Sequence, residues 1–201
     1  MPGAAEEGVE KAFRNLLRDN RVAIVERWLD IVFTSYNPET AKFLRREKDK
    51  FSNPVGQTFA RVLPVLFDLL VEGEDLAKAS SMLREVMKIR AVQDFMPSQA
   101  VGFFFGLKSA VRVEIEAKKL DADTLRQLLE FESRIDALGL AAFDAHLGCR
   151  EKIYEIKATE LKRRSERVLQ KLNDRIAAKY AEPSDDDSES SQHSSERGDK
   201  R

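Results

Sequence analysis

The chain predicts an all-α fold: a single helical bundle or globin-like helical domain, with a long C-terminal helix and a disordered tail. Three observations predict it. Apolar residues recur at three- and four-residue steps through most of the first part of the chain. No strand-like alternation of useful length appears. Proline and glycine fall mainly where those periodic stretches begin and end, as helix punctuation does. The 201 residues are 42% hydrophobic and 34% charged, an ordinary balance for a globular protein. A body of roughly 148 residues is long enough to bury a core.

The elements follow in order. Residues 1–8 read as a flexible N-terminus, and Val9–Leu17 as a short first helix. RVAIVERWLDIVFTSY, from Arg21, sets Ile24, Trp28, Ile31 and Val32 on one side. Asn37-Pro38 interrupts it, because Asn caps helices and Pro suits a first helical turn. ETAKFLRREKDK then gives a short, strongly charged helix. In FSNPVGQTFARVLPVLFDLLVEG, Ser52 or Asn53 caps a helix with Pro54 at its first position. Its stripe is Val55, Phe59, Val62, Leu66 and Leu69, with a bend at Pro64 and a stop at Gly73. DLAKASSMLREVMKIRAVQ carries the next stripe: Leu76, Met82 or Leu83, Val86, Ile89 and Val92. It stops at Phe95-Met96-Pro97-Ser98.

Ala100–Val113 is apolar nearly all round, which marks a central helix. Gly102 and Gly106, four apart, suit close helix contact. Phe103, Phe104 and Phe105 cannot share one side, so core packing is their default and one or two of them are candidates to line a small-ligand pocket. A polar turn at 118–123 offers Asp121 or Asp123 as the next cap. The helix after it buries Leu128, Phe131, Ile135, Leu138 and Ala142. No proline follows, so one long helix and two helices hinged near Gly148 both fit. The expected domains are therefore 9–148 for the body, 149–180 for a charged linker or coiled-coil-like helix, and 181–201 for an acidic, Ser-rich tail without apolar anchors.

Charge is unevenly spread. The net charge of -1 conceals a tail from Glu182 with seven acids and three bases, and an Arg150–Lys179 segment with ten bases and five acids. The bases alternate with acids and no aromatic ladder accompanies them. That pattern makes a solvated helix surface and argues against nucleic acid as partner. The segment's thin apolar seam is Ile153, Ile156, Leu161, Val168, Leu172 and Ile176. Leu161 to Leu172 and Ser165 to Ile176 are eleven-residue steps, away from a clean heptad. Pairing into a short coiled coil, as a homodimer, and docking on the body are its two uses.

A single cysteine, Cys149, allows no intramolecular disulfide and fits a cytoplasmic setting. The acidic N-terminus is not a secretory signal. The longest apolar stretch, AVGFFFGL, is too short to insert in a membrane. No cofactor or metal is expected: the two histidines are His146 and His193, and His146 with Cys149 makes at most two donors. His146 would be the available axial ligand in a haem-binding sensor. No phosphate-cradling glycine loop, nucleophile elbow or HExxH appears, so no catalytic residue is assigned and no enzyme is expected.

The contact candidates fall in two places. KFLRREKDKFSNPVGQT is framed by Phe43 and Phe51, with Arg45, Arg46, Lys48 and Lys50 as a basic edge beside the helix entry at Asn53. On the extension, Arg163, Arg164, Val168, Leu172 and Ile176 combine charge with the apolar seam.

The same residues carry a resemblance. IVERWLDIVFTSYNPETAKFLRREKDKFSNPVGQTF and DFMPSQAVGFFFGLK resemble the RsbRD-type N-terminal domain family, named after co-antagonists of the bacterial stress-response regulator RsbT. The likeness spans roughly Ala12–Ala145. It rests on the strings Lys48–Gly56 and Pro97-Ser98-Gln99-Ala100 together. It implies a helical input module that signals through a linker helix, elsewhere to a STAS domain or kinase, and here as a stand-alone member without either. A regulatory or sensor-like module acting on a protein partner is the function this favours. A small-ligand or haem sensor and an accessory subunit of a redox-associated complex are the alternatives.

Overall fold

The computed structural model describes residues 4–49, 51–93, 95–115 and 121–180. Among the described residues there are seven α-helices and one short 3-10 turn, and no strand. They are α1 (Ala4–Asp19), α2 (Arg21–Thr34), α3 (Pro38–Arg46), α4 (Pro54–Glu72), α5 (Ser80–Val92), α6 (Pro97–Ile115) and α7 (Ala122–Tyr180), with the 3-10 turn at Leu76–Ala79 before α5. The expected tail at 181–201, the tip of the 118–123 turn and Lys50 lie outside the described residues. The chain forms two units, Met1–Glu155 and Ile156–Arg201.

Local chemistry sets the helix ends. Asn37 accepts a hydrogen bond from the Thr40 amide at 2.8 Å, ahead of Pro38 at the first position of α3. Asn53 does the same for the Gly56 amide at 2.8 Å, ahead of Pro54. Asp121, of the two candidates, caps α7, accepting from the Thr124 amide at 2.7 Å, and the Thr124 hydroxyl together with that amide holds its carboxyl below the usual range. Gly73 closes α4 with φ 69°, a left-handed turn that glycine takes without strain.

In the first unit α2 packs against α6 and α4. Trp28, fully buried on α2, donates its indole N–H to the Phe103 carbonyl of α6 at 2.8 Å. The close approach expected of the α6 glycines is real at Gly106, where a Cβ would lie 2.8 Å from Ile31 Cγ2. It is absent at Gly102, where a Cβ would meet nothing within 4 Å. Phe131 of α7 meets Phe13 and Phe67 edge-on, at 6.2 and 6.3 Å between centroids. A bidentate pair from Arg112 to the buried Glu132 carboxylate, at 2.6 and 2.7 Å, ties α6 to α7.

Other sequence readings change in detail, and α1 begins at Ala4, inside the stretch read as a flexible N-terminus. α4 stays helical through Pro64, and its buried side is broader than the stripe read from sequence: Leu63, Phe67 and Leu70 join Phe59, Val62 and Leu66, while Val55 and Leu69 are half-buried. Among the described residues α4, rather than AVGFFFGL, is long and apolar enough by composition to cross a membrane, and here most of its apolar side chains join the core. α5 is turned relative to expectation. Leu83, Val86, Met87, Arg90 and Ala91 are buried, Ile89 is half-buried, and Val92 is 66% exposed. Leu83, Val86, Met87 and Arg90 are spaced i, i+3, i+4 and i+7, a helical face whose last place holds an arginine.

Candidate functional site

Arg90 is the most unusual side chain of the core. It is fully buried, and among the described residues none of its three guanidinium nitrogens has a hydrogen-bond partner. Aromatic rings from four segments surround it. Its guanidinium carbon lies 4.3 Å from the centroid of Phe95, 4.7 Å from Tyr36, and 5.3 Å from both Phe59 and Phe103. The rings brace each other in T-shaped pairs, Tyr36 with Phe95 at 5.3 Å and Phe59 with Phe103 at 5.7 Å. Tyr36 donates to Gln93 Oε1 at 2.9 Å.

The energetics do not balance among the described residues. Cation–π contacts contribute about 0.5–2 kcal/mol each. Burying an ion costs several kcal/mol, and each unmet buried donor costs about 1–3 kcal/mol more. Burial accordingly pushes the Arg90 guanidinium below its ordinary acidity range, with the Tyr36 hydroxyl acting the other way. The same burial raises the Tyr36 phenol, opposed by Arg90 and by the bond to Gln93. An open cleft of about 460 Å³, lined by Ile31, Thr34, Ser35, Gln99, Gly102 and Phe103, borders this box through Phe103. Of the three phenylalanines in the 103–105 run, Phe103 and Phe104 are buried and Phe105 is 37% exposed.

His146 is also buried, on α7 against α5. Burial lowers its basicity and Arg150 lowers it further. The Met87 backbone pulls it the other way, yet neither ring nitrogen reaches a partner in hydrogen-bond geometry. Cys149, one turn on, points its thiol at the Arg84 carbonyl, 3.9 Å away, and burial raises its pKa. Among the described residues no three His, Cys, Asp or Glu side chains group closely enough to hold a metal ion.

The basic corner divides on inspection. Asn53 is buried: besides capping α4 it donates to the Leu44 and Glu47 carbonyls at 3.0 and 2.8 Å, so it builds the corner and presents nothing outward. Asp49 accepts from the Ser52 and Phe51 amides, bonds that lower its pKa, Ser52 foremost. Arg45 is engaged with Asp30 at 2.8 Å. Arg46 lines an open cleft of about 420 Å³ with Glu39, Lys42, Phe43 and Glu47. Lys48 is exposed, as is Phe51, at 93%. Lys50 is outside the described residues.

α7 presents the other surface. In the first unit Leu140, Phe143, Leu147 and Tyr154 are exposed on it. In the second, every residue from Ile156 to Tyr180 is exposed, including Arg163 and Arg164, the latter bonded to Glu160 at 2.5 Å. Leu161 is 66% exposed, Val168 64%, Leu172 53% and Ile176 49%. The helix is continuous through Gly139 and Gly148, so the hinged alternative does not occur. The residues read from sequence on this stretch are exposed. Sequence reasoning missed Arg90, whose signal was its i+7 place behind Leu83, Val86 and Met87.

These features define an all-helical module with an exposed apolar row on its last helix. The chain belongs to the family of the RsbT co-antagonist protein rsbRD N-terminal domain, whose model matches residues 22–161. That family is non-catalytic. An uncharacterized protein of Archaeoglobus fulgidus is 27% identical over 146 residues, which cover 70% of this chain and 84% of the relative. No solved structure matches the chain.

Proposed function

We propose that the module reports through α7 by pairing with a second copy of itself, and that this pair is what a protein partner reads. The observation that carries the reading is the exposed apolar row Leu161, Val168, Leu172 and Ile176 within a helix otherwise rich in charge. Large apolar side chains left in water at helical spacing gain by burial against another helix. The spacing supports two strands: Leu140, Leu147, Tyr154, Leu161 and Val168 follow one another at seven-residue steps. Beyond Val168 the row shifts to Leu172 and Ile176, a step that locally changes the winding of a coiled coil.

The basic edge at Arg46 and Lys48, beside exposed Phe43 and Phe51, is the second contact surface in this reading, suited to an acidic protein patch. A cytoplasmic setting fits the half-buried Cys149, whose thiol is kept protonated by its surroundings.

Sedimentation across a concentration series tests the pairing. The full chain should shift from monomer to dimer, while a Leu161→Lys/Val168→Lys double variant should remain monomeric with unchanged helix content. Monomers throughout for the parent chain would contradict it.

A further inference from the structure

Among the described residues of the first unit, every enclosed polar side chain is accounted for by a neighbour except two, Arg90 and His146. His146, on α7 against α5, leaves two ring nitrogens unmet, and burial lowers its basicity. Arg90 is different in kind, because a guanidinium keeps its charge and its five donors under ordinary conditions.

We propose that Arg90 and its aromatic ring form a binding site for a small monocarboxylate, gripped by the guanidinium edge with its short apolar body beside Phe103. The reading stands whether or not α7 pairs. Four features set the ligand class. The guanidinium is a planar fork that matches a carboxylate in bidentate geometry. Four aromatic rings lie 4.3–5.3 Å from its guanidinium carbon and none of them takes its N–H groups in hydrogen-bond geometry, so those donors are the part left to bind. Among the described residues it is the one charged side chain set against those rings, so one negative charge is neutralised. A dianion such as sulfate or hydrogen phosphate would carry surplus charge into apolar surroundings. Finally, the cleft over Ile31, Gly102 and Phe103 adjoins the box on the side where Ser35 leads into Tyr36, giving an apolar body somewhere to lie.

The Tyr36–Gln93 hydrogen bond and the Tyr36–Phe95 ring pair hold the box shut at the ends of α2 and α5. A ligand that displaces either ring therefore acts on the connection between α5 and α6. Trp28 lies one contact away. Its centroid is 6.5 Å from that of Phe103, and its indole N–H is bonded to the Phe103 carbonyl. Because the chain has one tryptophan, one indole resonance reports on the site.

The test is a titration of the full-length, nitrogen-15-labelled chain with sodium propionate at constant ionic strength, following the Trp28 indole signal. The expected result is a saturable shift that propionamide, the neutral analogue, does not produce. Sodium sulfate should not compete with it. Arg90→Lys should weaken binding about tenfold, since an ammonium lacks the fork, and Arg90→Met should abolish it. The proposal is overturned by a shift that never saturates, by an equal shift with propionamide, by sulfate competing as well as propionate, or by unchanged binding in Arg90→Met. Should Arg90→Met fail to fold, the contrast between propionate and propionamide on the parent chain is decisive by itself.

Discussion

The guanidinium carbon of Arg90 stands 4.3 Å from the ring centroid of Phe95, with no hydrogen-bond acceptor on any of its nitrogens among the described residues. This pairing of a buried cation with an aromatic ring has a consequence for stability. Even a buried ion pair can often be replaced by well-packed apolar side chains at no loss, or with a gain of about 1–4 kcal/mol, and a buried charge without a partner has no pairing to lose. Arg90→Met should raise the urea midpoint of the ligand-free chain. A loss of stability beyond about 2 kcal/mol would mean that the cation–π contacts alone repay the burial.

Asn53 should behave in the opposite way. It caps α4 and holds the Leu44 and Glu47 carbonyls from a buried position. Asn53→Ala removes a cap and strands buried carbonyls, and should cost about 2–3 kcal/mol in urea unfolding. Ser52→Ala, at an exposed neighbouring position, should stay within about 0.5 kcal/mol of the parent.

The glycines separate by their surroundings. A Cβ at Gly148 meets nothing within 4 Å, so Gly148→Ala should stabilise α7 by about 0.5–1 kcal/mol through helix propensity. At Gly106 the new methyl would fall 2.8 Å from Ile31 Cγ2, wedging α6 from α2. Gly106→Ala should therefore lower the thermal midpoint, since overpacking costs about 1–3 kcal/mol against a smaller propensity gain.

His146 gives the chain a pH dependence of defined sign. Its folded-state pKa lies below the ordinary 6.5, chiefly through burial. Between those two values the unfolded chain binds more protons than the native one, so stability rises with pH through that window and falls as the solution is acidified below about 6.5. Urea midpoints measured between neutral and mildly acidic pH should show this fall. In His146→Leu the fall should be smaller. Parallel profiles for the two proteins would assign it to other groups.

Much of this architecture is legible in the sequence, and the exceptions have physical causes. Asn37-Pro38, Asn53-Pro54 and Gly73 mark helix ends because each supplies a specific backbone need, and the structure uses all three. The stripes of α2 and the first half of α7 are visible because each of those helices buries one side. α4 is buried on most sides, so periodicity understates its core. α5 misleads for a different reason. Reading apolar residues alone selects Val92 and passes over Arg90, and only the helical step from Leu83 places the arginine inside. The aromatic box was not legible, because Tyr36, Phe59, Phe95 and Phe103 come from separate elements and meet through tertiary packing.

Disulfide trapping on α7 addresses the pairing most directly. With Cys149 replaced by alanine, Leu161→Cys places a thiol on the exposed apolar row and Lys162→Cys places one a residue away, on a charged position. Facing core positions of two parallel helices lie within disulfide reach, while neighbouring outward positions do not. Under mild oxidation the Leu161→Cys variant should convert to a covalent dimer and the Lys162→Cys variant should not. Equal trapping of both, or of neither, would contradict a self-paired α7.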